Sequence, residues 1–149
     1  MLPSTETLPN WVQKNPTQYL KILRQEATDV YIHLPEFGLY MENGVVYLEG
    51  SIISENQTPY LTRIVYEAEY PKRPPTAFLA DVAVQEFCLL PENAHPRFPY
   101  FPNKQWGLGI WVLQATQSNE RIRATNVIHA LMNWIHDYEF KKRTGCWPP

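Results

Sequence analysis

The sequence contains few cysteines, and their placement excludes a disulfide framework. Only Cys88 and Cys146 are present, and they do not form a CxxC pair. Two thiols cannot supply the set of disulfides that holds small secreted domains together. Residues 1–10 lack the apolar run of a signal peptide, and no stretch approaches the roughly 18 apolar residues of a membrane span. We therefore expect a reduced, cytoplasmic protein with no membrane partner.

An excess of charge of one sign is also absent. The formal net charge is -2, so neither a strong basic field for nucleic acid nor an acidic tail for a basic partner is expected. Hydrophobic residues make up 44% of the chain and charged residues 19%, which is typical of a folded globular protein. A chain of 149 residues fits one domain over residues 1–149, with no nucleic-acid partner.

Sequence motifs that hold phosphates, metals or common nucleophiles are missing. The chain contains no GxxxxGK[ST], GxGxxG, HExxH or GxSxG pattern. His129 and His136 can share a helix face, but two imidazoles alone make a poor metal site, so we predict no metal and no cofactor. Cys88 lies in an apolar run and is expected to be buried and inert. An α+β hydrolase that uses Cys88 or Cys146 is a further hypothesis with little support.

The order of the apolar patterns predicts an α+β fold. We expect a first helix over residues 10–27 and strands over 30–34, 45–53 and 61–70. Turn signals at 42–44 and 56–59 are short, so the strands should form an antiparallel meander. A short apolar segment at 76–79 adds a fourth strand.

The second half of the chain combines many prolines and aromatic residues with one clear helix. Residues 91–111 show no helical period and are too apolar for a flexible linker, so we predict a long ordered loop with a functional role. An amphipathic C-terminal helix, capped by Ser118 or Thr125 and ended by Gly145, is predicted from apolar residues at helical spacing. These are Ile122, Val127, Ile128, Leu131, Trp134, Ile135 and Tyr138.

Two proline motifs carry a resemblance to a known family. The run YPKRPP at 70–75 resembles the YPxxPP signature of E2 (ubiquitin-conjugating) enzymes, and HP at 95–96 resembles the start of their HPN motif. Together with the element order, the resemblance covers roughly residues 10–149. The segments WIHDYE at 134–139 and RTGCWP at 143–148 are similar to the end of bacterial E2-like proteins of CBASS anti-phage systems. The resemblance implies an E2-like fold: an N-terminal helix, a four-stranded antiparallel meander, a long active-site loop and C-terminal helices.

The same resemblance implies a function and its partners. Such a domain would receive the C-terminus of a cGAS-like nucleotidyltransferase, or another ubiquitin-like donor, from an E1-like adenylating enzyme or domain. It would carry that C-terminus as a thioester and transfer it to a target in anti-phage defence. The chain would be either a short protein or the E2 part of an E1–E2 fusion.

The resemblance fails at the residue that the chemistry needs. In the bacterial family the nucleophilic cysteine lies in a motif resembling L-C-L-[WY], and the matching segment here is GLGIW at 107–111. Gly109 stands in the place of the cysteine, and a shift of one residue would put Ile110 there. Neither side chain can form a thioester. The chain is either a natural variant without the nucleophile or a form in which cysteine was replaced, and the intact flanking pattern favours replacement.

Other site residues follow from the same alignment of motifs. Arg97 occupies the position of the HPN asparagine and would donate hydrogen bonds to an oxyanion or hold a carboxylate, and an equally supported alternative is that Arg97 is simply solvated. His95 is expected to pack within its loop. Tyr100, Phe101, Trp106 and Trp111 are expected to wall a shallow groove in which a donor tail lies extended, with plain packing as the favoured alternative for Trp111. The alternative function is a non-catalytic E2-variant module that binds a ubiquitin-like or other protein tail.

Overall fold

The computed structural model describes residues 8–68, 70–112 and 122–149. Its elements form a sheet-rich α+β arrangement, in which two helices precede four strands, then a helix, two further strands and a last helix follow, and a 3₁₀ turn spans Pro91–Asn93. The helices are α1 (Asn10–Gln13), α2 (Pro16–His33), α3 (Val82–Cys88) and α4 (Ala124–Thr144). The strands are β1 (Gly38–Glu42), β2 (Val45–Ile53), β3 (Pro59–Tyr66), β4 (Thr76–Leu79), β5 (Tyr100–Asn103) and β6 (Gly107–Ile110).

The described strands form one antiparallel sheet of six, in the order β1-β2-β3-β4-β6-β5. The prediction of an E2-like fold with a four-stranded meander is therefore wrong. Strands β1 to β4 do form a meander, but residues 91–111 are not a long loop, because they add the β5–β6 hairpin beside β4. Within the described ranges, one helix rather than several follows the sheet.

The prolines of residues 91–111 concealed this hairpin. Pro102 cannot donate a backbone hydrogen bond, which argues against a central strand but not against an edge strand. Strand β5 is such an edge, because β6 lies between it and β4. The turn of the hairpin is stabilised by Asn103, whose side-chain oxygen accepts from the backbone N–H groups of Gln105 and Trp106, both at 2.9 Å.

Helix α2 lies six residues later in the chain than the predicted helix over residues 10–27, and it includes residues 30–33 of the expected first strand. It begins after Asn15, whose side-chain oxygen accepts from the backbone N–H of Gln18, and Pro16 occupies the first turn. Its buried residues, Leu23, Glu26 and Val30, follow helical spacing. The β-branched residues at 30 and 32 suggested a strand, but burial of Val30 against the core outweighs that preference.

Helix α4 matches the predicted amphipathic helix. Its buried face includes Leu131, Trp134 and Tyr138, and it ends at Gly145, whose φ of 85° lies in the left-handed region. The N-cap is Arg123 rather than Thr125, and the backbone N–H of Arg123 donates to the side chain of Asn126 at 3.1 Å. Ser118, the other predicted cap, lies outside the described residues.

A buried glutamate joins α2, β3 and α4. The Glu26 Oε1 atom accepts from the hydroxyls of Tyr66 (3.0 Å) and Tyr70 (2.9 Å) and from the backbone N–H of Ala124 (2.9 Å). Ala124 is the first residue of α4, where a negative charge also interacts favourably with the helix dipole. Glu26 therefore fixes where α4 starts relative to the sheet.

The two faces of the sheet have different environments. The main core contains every buried apolar residue of the described helices, so α1 to α4 all pack on one face. A second, smaller cluster lies on the opposite face and consists of Tyr47, Val65, Phe78 and Trp106. No residue of this cluster comes from a described helix, and we call this side of the sheet the open face.

Candidate functional site

Gly109 lies inside the sheet on β6, next to the edge strand β5, at a position that faces the open face. It pairs with Phe78 of β4 on one side and Phe101 of β5 on the other. It is buried, and a β-carbon at this position would overlap the tip of the Phe101 ring. A side chain at position 109 therefore has no space unless that ring moves.

Aromatic side chains run across the open face in a continuous line, which we call the aromatic row. Successive ring centroids lie between 4.7 and 6.5 Å apart. The inner rings bury one another, whereas Tyr40 and Trp111, at the two ends, are each 47% exposed. In spatial order the row consists of Tyr40, Tyr47, Trp106, Phe78, Phe101 and Trp111.

Charged groups hold the row in place. The guanidinium of Arg63 lies 5.7 Å from the Trp106 ring centroid, and its Nε donates to Glu49 Oε2 at 2.7 Å. The Tyr47 hydroxyl donates to Glu42 at 2.9 Å, and burial together with this carboxylate raises the pKa of Tyr47 to about 12. Tyr47 therefore stays protonated at neutral pH and keeps this bond.

His95 lies on the opposite side of the sheet, between its own loop and α4. Its Nδ1 accepts from the backbone N–H groups of Arg97 (3.0 Å) and Phe98 (3.3 Å), so the ring proton of the neutral form is on Nε2. That Nε2 lies 3.5 Å from Asp137 Oδ2. Burial lowers the pKa of His95, the Arg97 charge acts in the same direction, and Asp137 opposes both. The imidazole is held neutral as a structural group that fixes the loop.

Aromatic rings enclose His95 and Tyr100 on this side. The Trp147 ring lies 4.4 Å from the His95 ring, and the Tyr100 ring lies 5.9 Å from that of Trp134, measured between centroids. Tyr100 also neighbours Cys88, which is 2% exposed. Burial raises the pKa of the Cys88 thiol to about 12. Cys88 is thus protonated at neutral pH, and the hydrolase hypothesis gains no support from it.

The six predicted site residues do not form one groove. Gly109, Trp106 and Trp111 share the open face, whereas His95 and Tyr100 lie across the sheet, against the helices. The predicted groove walled by Tyr100, Trp106 and Trp111 is therefore not formed. Arg97 is exposed beside His95. Among the described residues, its side chain donates no hydrogen bond to either group of predicted site residues.

Sequence reasoning missed five contributors to the open face, namely Arg63, Tyr40, Tyr47, Val65 and Phe78. A usable signal was present in the strands. Tyr47 and Glu49 alternate with the buried residues Val46, Leu48 and Gly50, which places a tyrosine and a charge on the second face of β2. The cross-strand pairing of Tyr40 with Tyr47 extends that face to β1.

Two features that the described residues lack bear on the type of site. No group of three or more His, Cys, Asp or Glu side chains in the described ranges could hold a metal ion. None of the helices in those same ranges combines the length and apolar character needed to cross a membrane.

None of the family models, curated proteins or solved structures with which the chain was compared matches it. The resemblance to E2 proteins therefore rests on the short motifs alone.

Proposed function

We propose that this chain is a non-catalytic module that binds a protein partner on its open face. The contact between Phe101 and Gly109 carries the proposal, because the position that the motifs assign to a nucleophile is filled by a neighbouring ring. Thioester transfer needs a thiolate that an activated carbonyl can reach. A packed aromatic surface with exposed ends is suited to binding rather than to acyl transfer.

The shape of the aromatic row favours an extended ligand. The row crosses the six strands of the sheet, which at about 4.8 Å per strand corresponds to about 24 Å. About seven residues of extended chain span that distance. We infer that the ligand is the tail of a partner protein, and the motifs suggest the C-terminus of a cGAS-like nucleotidyltransferase or of another ubiquitin-like donor.

The two exposed ends of the row supply the anchors. Tyr40 and Trp111 each expose about half of their surface, and tyrosine and tryptophan are enriched among residues that dominate binding energy. The inner rings are held rigid by one another and by Arg63. A ligand therefore meets a preorganised surface. The side chains of this surface lose less conformational entropy on binding.

Calorimetric titration with a peptide copied from the nucleotidyltransferase C-terminus tests the proposal. We expect Tyr40→Ala and Trp111→Ala each to weaken binding by about tenfold or more, as expected for an anchor residue. The matched control is Tyr31→Ala, which removes a tyrosine that is 59% exposed on α2, away from the open face. The assignment of the open face would be overturned if the original chain and the three variants bound the peptide with equal affinity. It would also be overturned if Tyr31→Ala weakened binding as much as Tyr40→Ala and Trp111→Ala.

A second experiment separates binding from conjugation. The chain and its Gly109→Cys variant are each mixed with an E1-like enzyme, ATP and the nucleotidyltransferase, and the products are separated on a non-reducing gel. We expect no thiol-sensitive adduct on either chain. An adduct formed only by Gly109→Cys would instead support the conjugating-enzyme hypothesis and contradict the non-catalytic one.

A further inference from the structure

The two edges of the sheet differ in how well they are protected. Strand β5, at one edge, has four residues and includes Pro102, which cannot donate to a new strand. Strand β1, at the other edge, has five residues with the sequence GLYME and contains neither proline nor a basic residue. Among the described strands only β2 pairs with it. The outer side of β1 is therefore able to accept another strand.

We propose that β1 pairs antiparallel with β1 of a second copy of this chain, about a two-fold axis at Tyr40. In this register Tyr40 opposes its own counterpart, Leu39 opposes Met41 of the second copy, and Gly38 opposes Glu42. It is the one antiparallel register that uses all five residues of the strand. A two-fold axis also gives the isologous contact that most homodimers use.

The charges of the strand are compatible with this register. Glu42 is the strand's only charged residue, and it faces a glycine rather than a second carboxylate. Its side chain already accepts from the Tyr47 hydroxyl at 2.9 Å, which holds it toward β2. A shift that placed Glu42 opposite Glu42 would set like charges side by side, which destabilises a sheet.

Apolar side chains on both faces of β1 favour the same pairing. Leu39 and Met41 are half-buried at the rim of the main core, paired with Leu48 and Val46. Tyr40 is half-exposed on the open face. Pairing of two β1 strands would cover the outer sides of all three residues and extend both apolar layers across the axis. The aromatic rows of the two copies would then meet at Tyr40.

Cysteine cross-linking tests the register directly. The reference chain carries Cys146→Ser, since Cys146 is the exposed thiol. Opposed residues in an antiparallel pair have Cα atoms about 4.5–5.5 Å apart, which suits a disulfide. We expect Tyr40→Cys to form, under mild oxidation, a thiol-sensitive dimer of twice the 17.5 kDa chain mass.

Neighbouring positions distinguish this register from random collision. We expect Leu39→Cys alone and Met41→Cys alone to form no disulfide-linked dimer. A mixture of the two variants, one of them carrying a size tag, should form a disulfide-linked heterodimer. The control is Leu61→Cys on β3, which is also partly exposed. Equal cross-linking of Leu61→Cys, or of Leu39→Cys alone, would overturn the proposal.

Sedimentation of the unmodified chain tests whether the contact forms without a cross-link. We expect a monomer–dimer equilibrium. Tyr40→Lys should raise the dissociation constant of the dimer by about tenfold or more, because this substitution places two ammonium groups at the axis. Leu61→Lys should leave the dissociation constant unchanged. A chain that stays monomeric over the whole concentration range would contradict the proposal. The inference does not depend on the proposed ligand, since Trp111→Ala should reduce ligand binding and leave self-association unchanged.

Discussion

The ring of Phe101 lies over Gly109, its cross-strand partner, in the space that a β-carbon would need. Aromatic residues commonly shield a glycine on the neighbouring strand in this way. The contact fills the space beside the glycine whether position 109 is naturally a glycine or once held a cysteine.

The packing of Gly109 predicts a specific coupling between two substitutions. Gly109→Ala should lower the free energy of unfolding by about 1–3 kcal/mol, because the added methyl overpacks the open face. In a Phe101→Ala background the same substitution should cost much less, since the ring is gone. Urea denaturation of the original chain, the two single variants and the double variant gives the coupling energy between positions 101 and 109. Equal costs in both backgrounds would show that Phe101 does not occupy the space at position 109.

Strand β2 and helix α4 were accessible to sequence reasoning because their patterns are local, whereas β1 and the short helix α3 were not predicted. The predicted strand over residues 45–53 and the observed strand β2 have the same bounds. Helix α4 follows a 3.6-residue period and ends at a glycine. The β5–β6 hairpin was missed because its strands have four residues each and one contains a proline, so neither shows a period long enough to detect.

The candidate site was harder to predict because sheet faces depend on register. Tyr100 and Phe101 are adjacent in sequence, yet they lie on opposite faces, since successive side chains of a strand alternate. The predicted groove combined residues from both faces. Trp106 could be placed only once the β5–β6 turn was known, because its backbone N–H is held by Asn103.

The environment of His95 predicts a pH dependence of stability. The pKa of His95 is lowered in the folded state, mainly by burial and also by Arg97, with Asp137 opposing. The unfolded chain therefore binds a proton at a higher pH than the folded one. The stability contributed by neutral His95 is present above its ordinary pKa of about 6.5 and is lost as pH falls below that value. Urea denaturation at a series of pH values from neutral downward should show this loss.

A substitution assigns the pH effect to His95. We expect His95→Gln to be less stable at neutral pH by about 1–3 kcal/mol, since the bonds to the Arg97 and Phe98 N–H groups are disturbed, and to show a flatter dependence below pH 6.5. The control is His33→Gln, which removes an exposed imidazole from α2 and leaves the loop of His95 intact. The same slope in His95→Gln and the original chain would contradict the assignment.

The buried carboxylate of Glu26 predicts a large loss of stability on truncation. Glu26→Ala removes the acceptor of three buried hydrogen bonds, from the hydroxyls of Tyr66 and Tyr70 and from the Ala124 N–H, at about 1 kcal/mol or more for each bond lost. We therefore expect a loss of about 3 kcal/mol or more in the free energy of unfolding. Glu55→Ala, at an exposed position, should change stability by less than about 0.5 kcal/mol. Similar values for the two variants would show that Glu26 does not hold α4 to the sheet.

The two cysteines should differ strongly in reactivity, and this difference tests the remaining catalytic hypothesis. The exposed Cys146 should react with a thiol reagent at pH 8 in the folded protein, whereas Cys88, buried and with its pKa raised to about 12, should react only after unfolding. Thiol titration should thus count one group in buffer and two in denaturant, and Cys146→Ser should remove the first. Rapid reaction of Cys88 in the folded Cys146→Ser chain would mean an accessible thiolate beside Tyr100 and would restore a nucleophile to the list of possible functions.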